Sequence, residues 1–125
     1  DLSNIHDYVR SHGKEVFKKY ERALDHRDKS FKLFIKYLNY GKTDDNDHNK
    51  AFEVSDKCLE YEKADEDCNR ILRLYDQYFE NETNILNKYL EYINTSDDDR
   101  KTKLSEEIIS AYSKIKNILK SLEIE

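Results

Sequence analysis

Apolar residues recur along this chain at intervals of three and four. Ile5, Tyr8, Val9, His12, Val16, Phe17, Tyr20 and Leu24 hold the spacing of one helical face, and Phe31, Phe34, Ile35 and Leu38 continue it as far as Gly41. Ser3 or Asn4 is placed to cap the start, and Gly41 to end the stretch as a C′ residue. The polar run Asp25-His26-Arg27-Asp28 interrupts the stripe, so residues 3–40 read either as two helices or as one long bent helix. Residues 42–49, Lys-Thr-Asp-Asp-Asn-Asp-His-Asn, form the clearest loop. Phe52, Ser55 and Leu59 mark a shorter helix. Beyond it, Cys68, Ile71, Leu72, Tyr75, Phe79, Leu86, Tyr89, Leu90 and Ile93 keep a 3.6-residue period. A second boundary falls at Thr95-Ser96-Asp97-Asp98-Asp99, whose acids suit the N-terminus of a last helix carrying Leu104, Ile108, Ala111, Tyr112, Ile115, Leu119 and Leu122. The pattern predicts an all-α fold: a compact bundle of four to five amphipathic helices in one domain, residues 1–125.

Composition supports the helical reading. Charged residues make up 39% of the chain, well above the roughly 25% of an average domain, which raises the alternative of disorder. Ten Tyr and five Phe argue against disorder, since disordered chains are poor in aromatic residues. With no Pro and only two Gly, the chain lacks the turn residues that an all-β fold needs. The charges are of mixed sign along each helix, as expected of solvated faces laced with i, i+4 pairs. No apolar run approaches the length of a membrane span.

Candidate chemistry is sparse. Asp45, Asp47 and Asn49 alternate as in a calcium loop, with Asp56 in the twelfth place. The sixth position, however, is Lys50 where such a loop needs Gly, so a solvated loop is the better reading. His6, His12, His26 and His48 show no ligand spacing, and His12 falls on the apolar stripe as a hydrogen-bonded core-edge residue. Phosphate-loop, G-x-S-x-G and H-E-x-x-H patterns are all absent, so no catalytic residue, metal site or cofactor is assigned. A net charge of −5 without a basic patch disfavours nucleic-acid binding.

Two features point to a binding role outside the cell. Tyr37, Tyr40, Tyr61, Tyr78 and Tyr92 sit at the margins of the stripes. An amphipathic ring there can face a partner, although it can equally do no more than cover a seam. The chain begins at Asp1 and contains no Met, as a processed secretory product would. The triplets Asn81-Glu82-Thr83 and Asn94-Thr95-Ser96 would be glycosylation acceptors in that pathway, though an Asn-rich chain produces such triplets by chance.

Cys58 and Cys68 sharpen the question of compartment. On an unbroken helix their separation spans about 15 Å, whereas a disulfide needs Cα atoms within roughly 7 Å. Either both thiols are free or the chain reverses between them. An even cysteine count in a chain read as secreted favours the bridge, which then staples a helical hairpin with a tight reversal near residues 62–65.

With these features the chain resembles the small, all-helical secreted salivary proteins of blood-feeding insects, in particular the C-terminal domain of aegyptin-like mosquito antigens. The resemblance lies in the overall pattern and in the Cys58–Cys68 hairpin. It implies a secreted, non-enzymatic protein that engages and inhibits a host protein, such as a haemostatic factor, a complement component or an immune receptor. The acidic, Gly-rich N-terminal region of those antigens is absent, which puts collagen binding in doubt. The alternative is a surface or secreted helical adhesion domain of a parasite with an AT-rich genome, whose codon bias would enrich Lys, Asn, Asp and Tyr. Self-association into a homodimer through marginal Tyr and Leu positions is a further expectation.

Overall fold

The computed structural model describes the backbone of residues 1–43 and 48–124, and the side chains of residues 1–40 and 51–124. Three helices account for nearly all of it: α1 (Leu2–Thr43), α2 (His48–Asn94) and α3 (Asp98–Ser121). The all-α expectation holds, but three long helices replace the four to five expected. No helix among the described residues is long and apolar enough to cross a membrane.

Of the two readings open for residues 3–40, the structure shows one helix, and the break expected inside α2 does not occur. α1 runs through Asp25–Asp28, where Asp25 and Lys29 form an i, i+4 ion pair at 2.8 Å. It also runs through Gly41, so that residue is not a C′ stop. Asp1, rather than Ser3 or Asn4, caps α1: its carboxylate accepts the Ser3 N–H at 3.2 Å. Helix α2 passes without interruption through residues 62–65, a stretch lacking both Gly and Pro. Cys58 and Cys68 are consequently free thiols on one continuous helix, and there is no stapled hairpin. Cys58 is half-buried, and its thiol donates to Glu62 Oε1 at 3.7 Å. Burial first, and then the Glu62 carboxylate, push the thiol pKa up. Cys68 is buried. Intact mass is expected to be the same before and after reduction. Disulfide exchange with a thiol reagent should label Cys58 slowly in the native protein, and Cys68 only on unfolding.

The boundary at residues 95–99 is where the acids placed it. Asp97 is the N-cap of α3, its carboxylate accepting from the N–H groups of Asp99 at 3.0 Å and Arg100 at 3.4 Å. Asp98 and Asp99 lie in the first turn, where the helix dipole favours anions. The far end of α3 closes with Glu123 in the left-handed region (φ 59°). There the Glu123 N–H donates to the Lys120 carbonyl and the Ile124 N–H to the Leu119 carbonyl.

The chain folds as two compact units, residues 1–19 with 73–125 and residues 20–72. In the first, segments of α1 and α2 pack with α3 around Val9, Val16, Tyr78, Ile85, Leu104, Ile108, Ile115 and Leu119, all fully buried. A buried aliphatic side chain of this size contributes about 1.5–3 kcal/mol relative to exposure. Arg100 grips Glu91 through two hydrogen bonds of 2.9 Å across the α2–α3 turn. Lys88 donates to Glu107, and that hydrogen bond holds the Glu107 pKa below the usual carboxylate range. The second unit is a pair of antiparallel helical segments. Arg27 lies against Asp65, Phe31 against Tyr61, and Tyr37 beneath the Lys57 ammonium, so residue numbers rise on one helix as they fall on the other. Among its described residues, Ser30, Ala64 and Cys68 are buried.

The seams follow a heptad. On α1 they run through positions 9, 13, 16, 20, 23, 27, 30, 34 and 37, and on α2 through 57, 61, 64, 68, 71, 75, 78, 82, 85, 89 and 92. Within this sequence, spacing of four and three alternates without exception. A 3.6-residue period drifts from such a seam by about 20° per heptad. That drift explains why Leu90 and Ile93, read as core, are 57% and 55% exposed, while Tyr78, read as marginal, has no exposed surface.

Candidate functional site

The five tyrosines singled out for partner binding are divided between the two units, two in the first and three in the second. Tyr78 is in the core of the first unit, its phenol donating to the Val9 carbonyl of α1. Burial, reinforced by the nearby Glu82 carboxylate and then by Tyr8 and Glu15, pushes its pKa far up, so the ring is a neutral structural donor and not a partner-facing one. Tyr92, in the same unit, is half-buried beneath the Lys101 ammonium at 5.3 Å. The other three belong to the helical pair of residues 20–72. Tyr40 is 51% exposed, with Lys36 Nζ 5.9 Å from its ring centroid, and Tyr37 is half-buried with Lys57 Nζ at 5.5 Å. Tyr61 sits in an aromatic cluster, 5.1 Å from Phe31 and stacked on Phe34 at 6.4 Å between ring centroids.

That cluster is a partly exposed aromatic surface on the helical pair. Phe31, assigned to the core by its spacing, is 45% exposed. It stands one residue beyond the seam position 30, and Leu24 and Leu38 hold the equivalent places one heptad away on either side. The signal that finds it is the second apolar stripe, shifted by one residue from the seam. A single broad stripe at 3.6 spacing merges the two.

The acceptor triplets sit in unlike settings. Asn81 is half-buried in the middle of α2, its side-chain amide donating to the Gln77 carbonyl at 2.7 Å. Asn94 is the exposed last residue of α2, donating to the Leu90 carbonyl at 2.9 Å. Of the calcium-like residues, Asp45 and Asp47 and the side chain of Asn49 lie outside the described residues, and Asp56 is an exposed residue of α2. Among the described residues, no group of three or more His, Cys, Asp or Glu side chains is arranged to hold a metal ion. His12 behaves as its place on the stripe predicts: its Nδ1 lies 2.8 Å from the Tyr8 carbonyl and its ring 4.2 Å from that of Tyr8.

A half-buried carboxyl group lies in the seam of the first unit. Glu82 occupies a seam position of α2 and packs toward Gly13 of α1, where a Cβ on the glycine would come within 3.3 Å of its carboxylate. Burial raises its pKa, an effect that the Arg10 guanidinium partly offsets. A raised carboxyl pKa means that the folded protein holds the proton more tightly than the unfolded chain does. The fold therefore gains stability as pH falls through the Glu82 range, and loses it as the carboxylate forms on rising pH. Glu82→Gln should accordingly be more stable than the wild type to urea at pH 7, with the difference shrinking toward pH 4. An equal difference at both pH values would show that ionisation is not its source.

No protein-family model matches this chain, and no curated protein or solved structure shows significant similarity to it. None of these comparisons supports the salivary-protein resemblance, and the Cys58–Cys68 hairpin on which it partly rested is absent.

Proposed function

We propose that this chain is a non-enzymatic binding protein that acts outside the cell by engaging a host protein and blocking it. The observation that carries the reading is the aromatic cluster of Phe31, Phe34 and Tyr61, with Phe31 held half in solvent on a rigid two-helix frame. Aromatic side chains on regular secondary structure lose little conformational freedom on binding, and they dominate the energetics of interfaces. The exposed Asn94 acceptor triplet is compatible with an extracellular location, whereas the free thiols remove the disulfide as a support for it.

The test compares immobilised wild-type protein with Phe31→Ala in capture from host plasma and from detergent-solubilised leukocyte surface proteins. Truncating a central aromatic anchor costs about 2 kcal/mol or more of binding, so a specific partner should be retained by the wild type and lost by the variant. Recovery of nothing specific by the wild type, or equal recovery by both, would remove this reading.

A further inference from the structure

We infer that the Phe31 face of residues 20–72 is a groove for a basic amphipathic helix of another protein. The inference rests on reading that face as the binding surface, and it specifies the chemistry of what binds there. Leu24, Phe31 and Leu38 on α1 each stand one residue after a seam position, as do Cys58, Asp65 and Leu72 on α2. In an antiparallel pair of right-handed helices, such positions on both partners fall on the same side of the seam. The Arg27–Asp65 and Phe31–Tyr61 contacts lie along that side. The result is an apolar trough along the line where the two helices meet. Phe31 is exposed there, while Leu24, Leu38, Cys58 and Leu72 are half-buried. Helices are covered in this way by a third helix lying along the seam, its apolar residues at i, i+3, i+4 and i+7 filling the trough.

Charge decides the occupant. The trough is bordered by Glu21 and Asp28 on α1 and by Glu62 and Asp65 on α2, with the Arg27 guanidinium reaching Asp28 and Asp65. Of the exposed cations of α1 within residues 20–40, Arg22, Lys29 and Lys36 each stand one residue before a seam position and so lie on the opposite side of the pair, while Lys32, midway between seam positions 30 and 34, lies on the face turned away from α2. A second copy offering the same acidic border would meet like charge. A helix carrying Lys or Arg along both edges of an apolar stripe would meet carboxylates on both sides and Phe31 in the middle.

The test titrates the full chain with a synthetic amphipathic helix of about 18 residues, leucine on one face and lysine on the other, and with its counterpart carrying glutamate for lysine. The expected result is at least about tenfold tighter binding of the lysine peptide at low salt, weakened by Phe31→Ala and by Asp28→Lys with Glu62→Lys. The paired reversal should also shift preference toward the glutamate peptide. All three substitutions fall on exposed residues, and circular dichroism checks that the fold is kept. Equal binding of both peptides, or lysine-peptide binding indifferent to Phe31→Ala, would overturn the groove. If the host partner is captured in a Phe31-dependent manner while the peptides fail, the helix assignment falls and the binding-protein reading stands. If the peptides bind as expected and no host partner is captured, the reverse holds.

Discussion

Replacing Tyr78 with alanine is expected to lower the unfolding free energy by about 4 kcal/mol, the range for truncating a fully buried large aromatic side chain. Tyr78 is among the largest side chains with no exposed surface, and it bridges two helices within its unit. Its ring packs edge-on against Phe79, with centroids 5.1 Å apart, while its hydroxyl reaches the Val9 carbonyl of α1. Alanine leaves a cavity and removes the hydrogen bond from the Tyr78 phenol to the Val9 carbonyl of α1. Phenylalanine keeps the ring and removes only the hydrogen bond, for a loss of about 1 kcal/mol. The Val9 carbonyl still has its intrahelical partner at position 13, so no buried acceptor is orphaned. Urea unfolding followed by far-UV circular dichroism measures both. If alanine at position 78 costs no more than phenylalanine, the ring contributes little to packing, and the heptad seam on α2 is misplaced.

The same residue shows how much was legible beforehand. That the chain is all helical, and that a helix starts just after Thr95-Ser96, follow from local chemistry: aromatic-rich amphipathic stripes without Pro, and an Asp side chain free to accept backbone N–H groups. Which face is buried is a long-range matter. Over the 25 residues from Cys68 to Ile93, the difference between 3.6 and 3.5 residues per turn accumulates to about 70°, enough to exchange Tyr78 and Ile85 for Phe79 and Leu86 as core residues. The charged stretches misled for a related reason. Asp25-His26-Arg27-Asp28 has no apolar side chain and reads as a break. Yet Arg27 is a seam residue, whose guanidinium reaches Asp28 and, at 4.0 Å, Asp65 of α2. The cysteines are the converse case. Their even number suggested a bridge, but nothing between them turns the chain, and local backbone preference prevails. The exposed aromatic face at Phe31 follows from the second stripe, which lies one residue beyond the seam and which a single broad stripe merges with it.

Gly13→Leu should cost about 2–3 kcal/mol, because it strains the same inter-helical contact from the other side. Gly13 is buried in the α1 seam four residues after Val9, where any other residue would raise a side chain beside the Val9 carbonyl. A Cβ there would stand 3.3 Å from Glu82 Oε2 and 3.6 Å from Phe79 Cε1. Leucine adds three further carbons in that direction, so Glu82 and Phe79 must move, and with Phe79 the Tyr78 ring that packs edge-on against it. The roughly 1 kcal/mol gained by replacing a mid-helix glycine offsets only part of this. Alanine is the informative control. Its single carbon asks for a shift of a few tenths of an ångström from the flexible end of Glu82, so the propensity gain and the crowding should nearly cancel, leaving a change below about 1 kcal/mol. The pair Gly13→Leu and Tyr78→Phe should also be less costly together than the sum of the singles, since both act on the approach of one phenol to one carbonyl. A leucine tolerated at position 13 without loss of stability, or strictly additive losses, would mean that the glycine is not what lets Tyr78 reach α1.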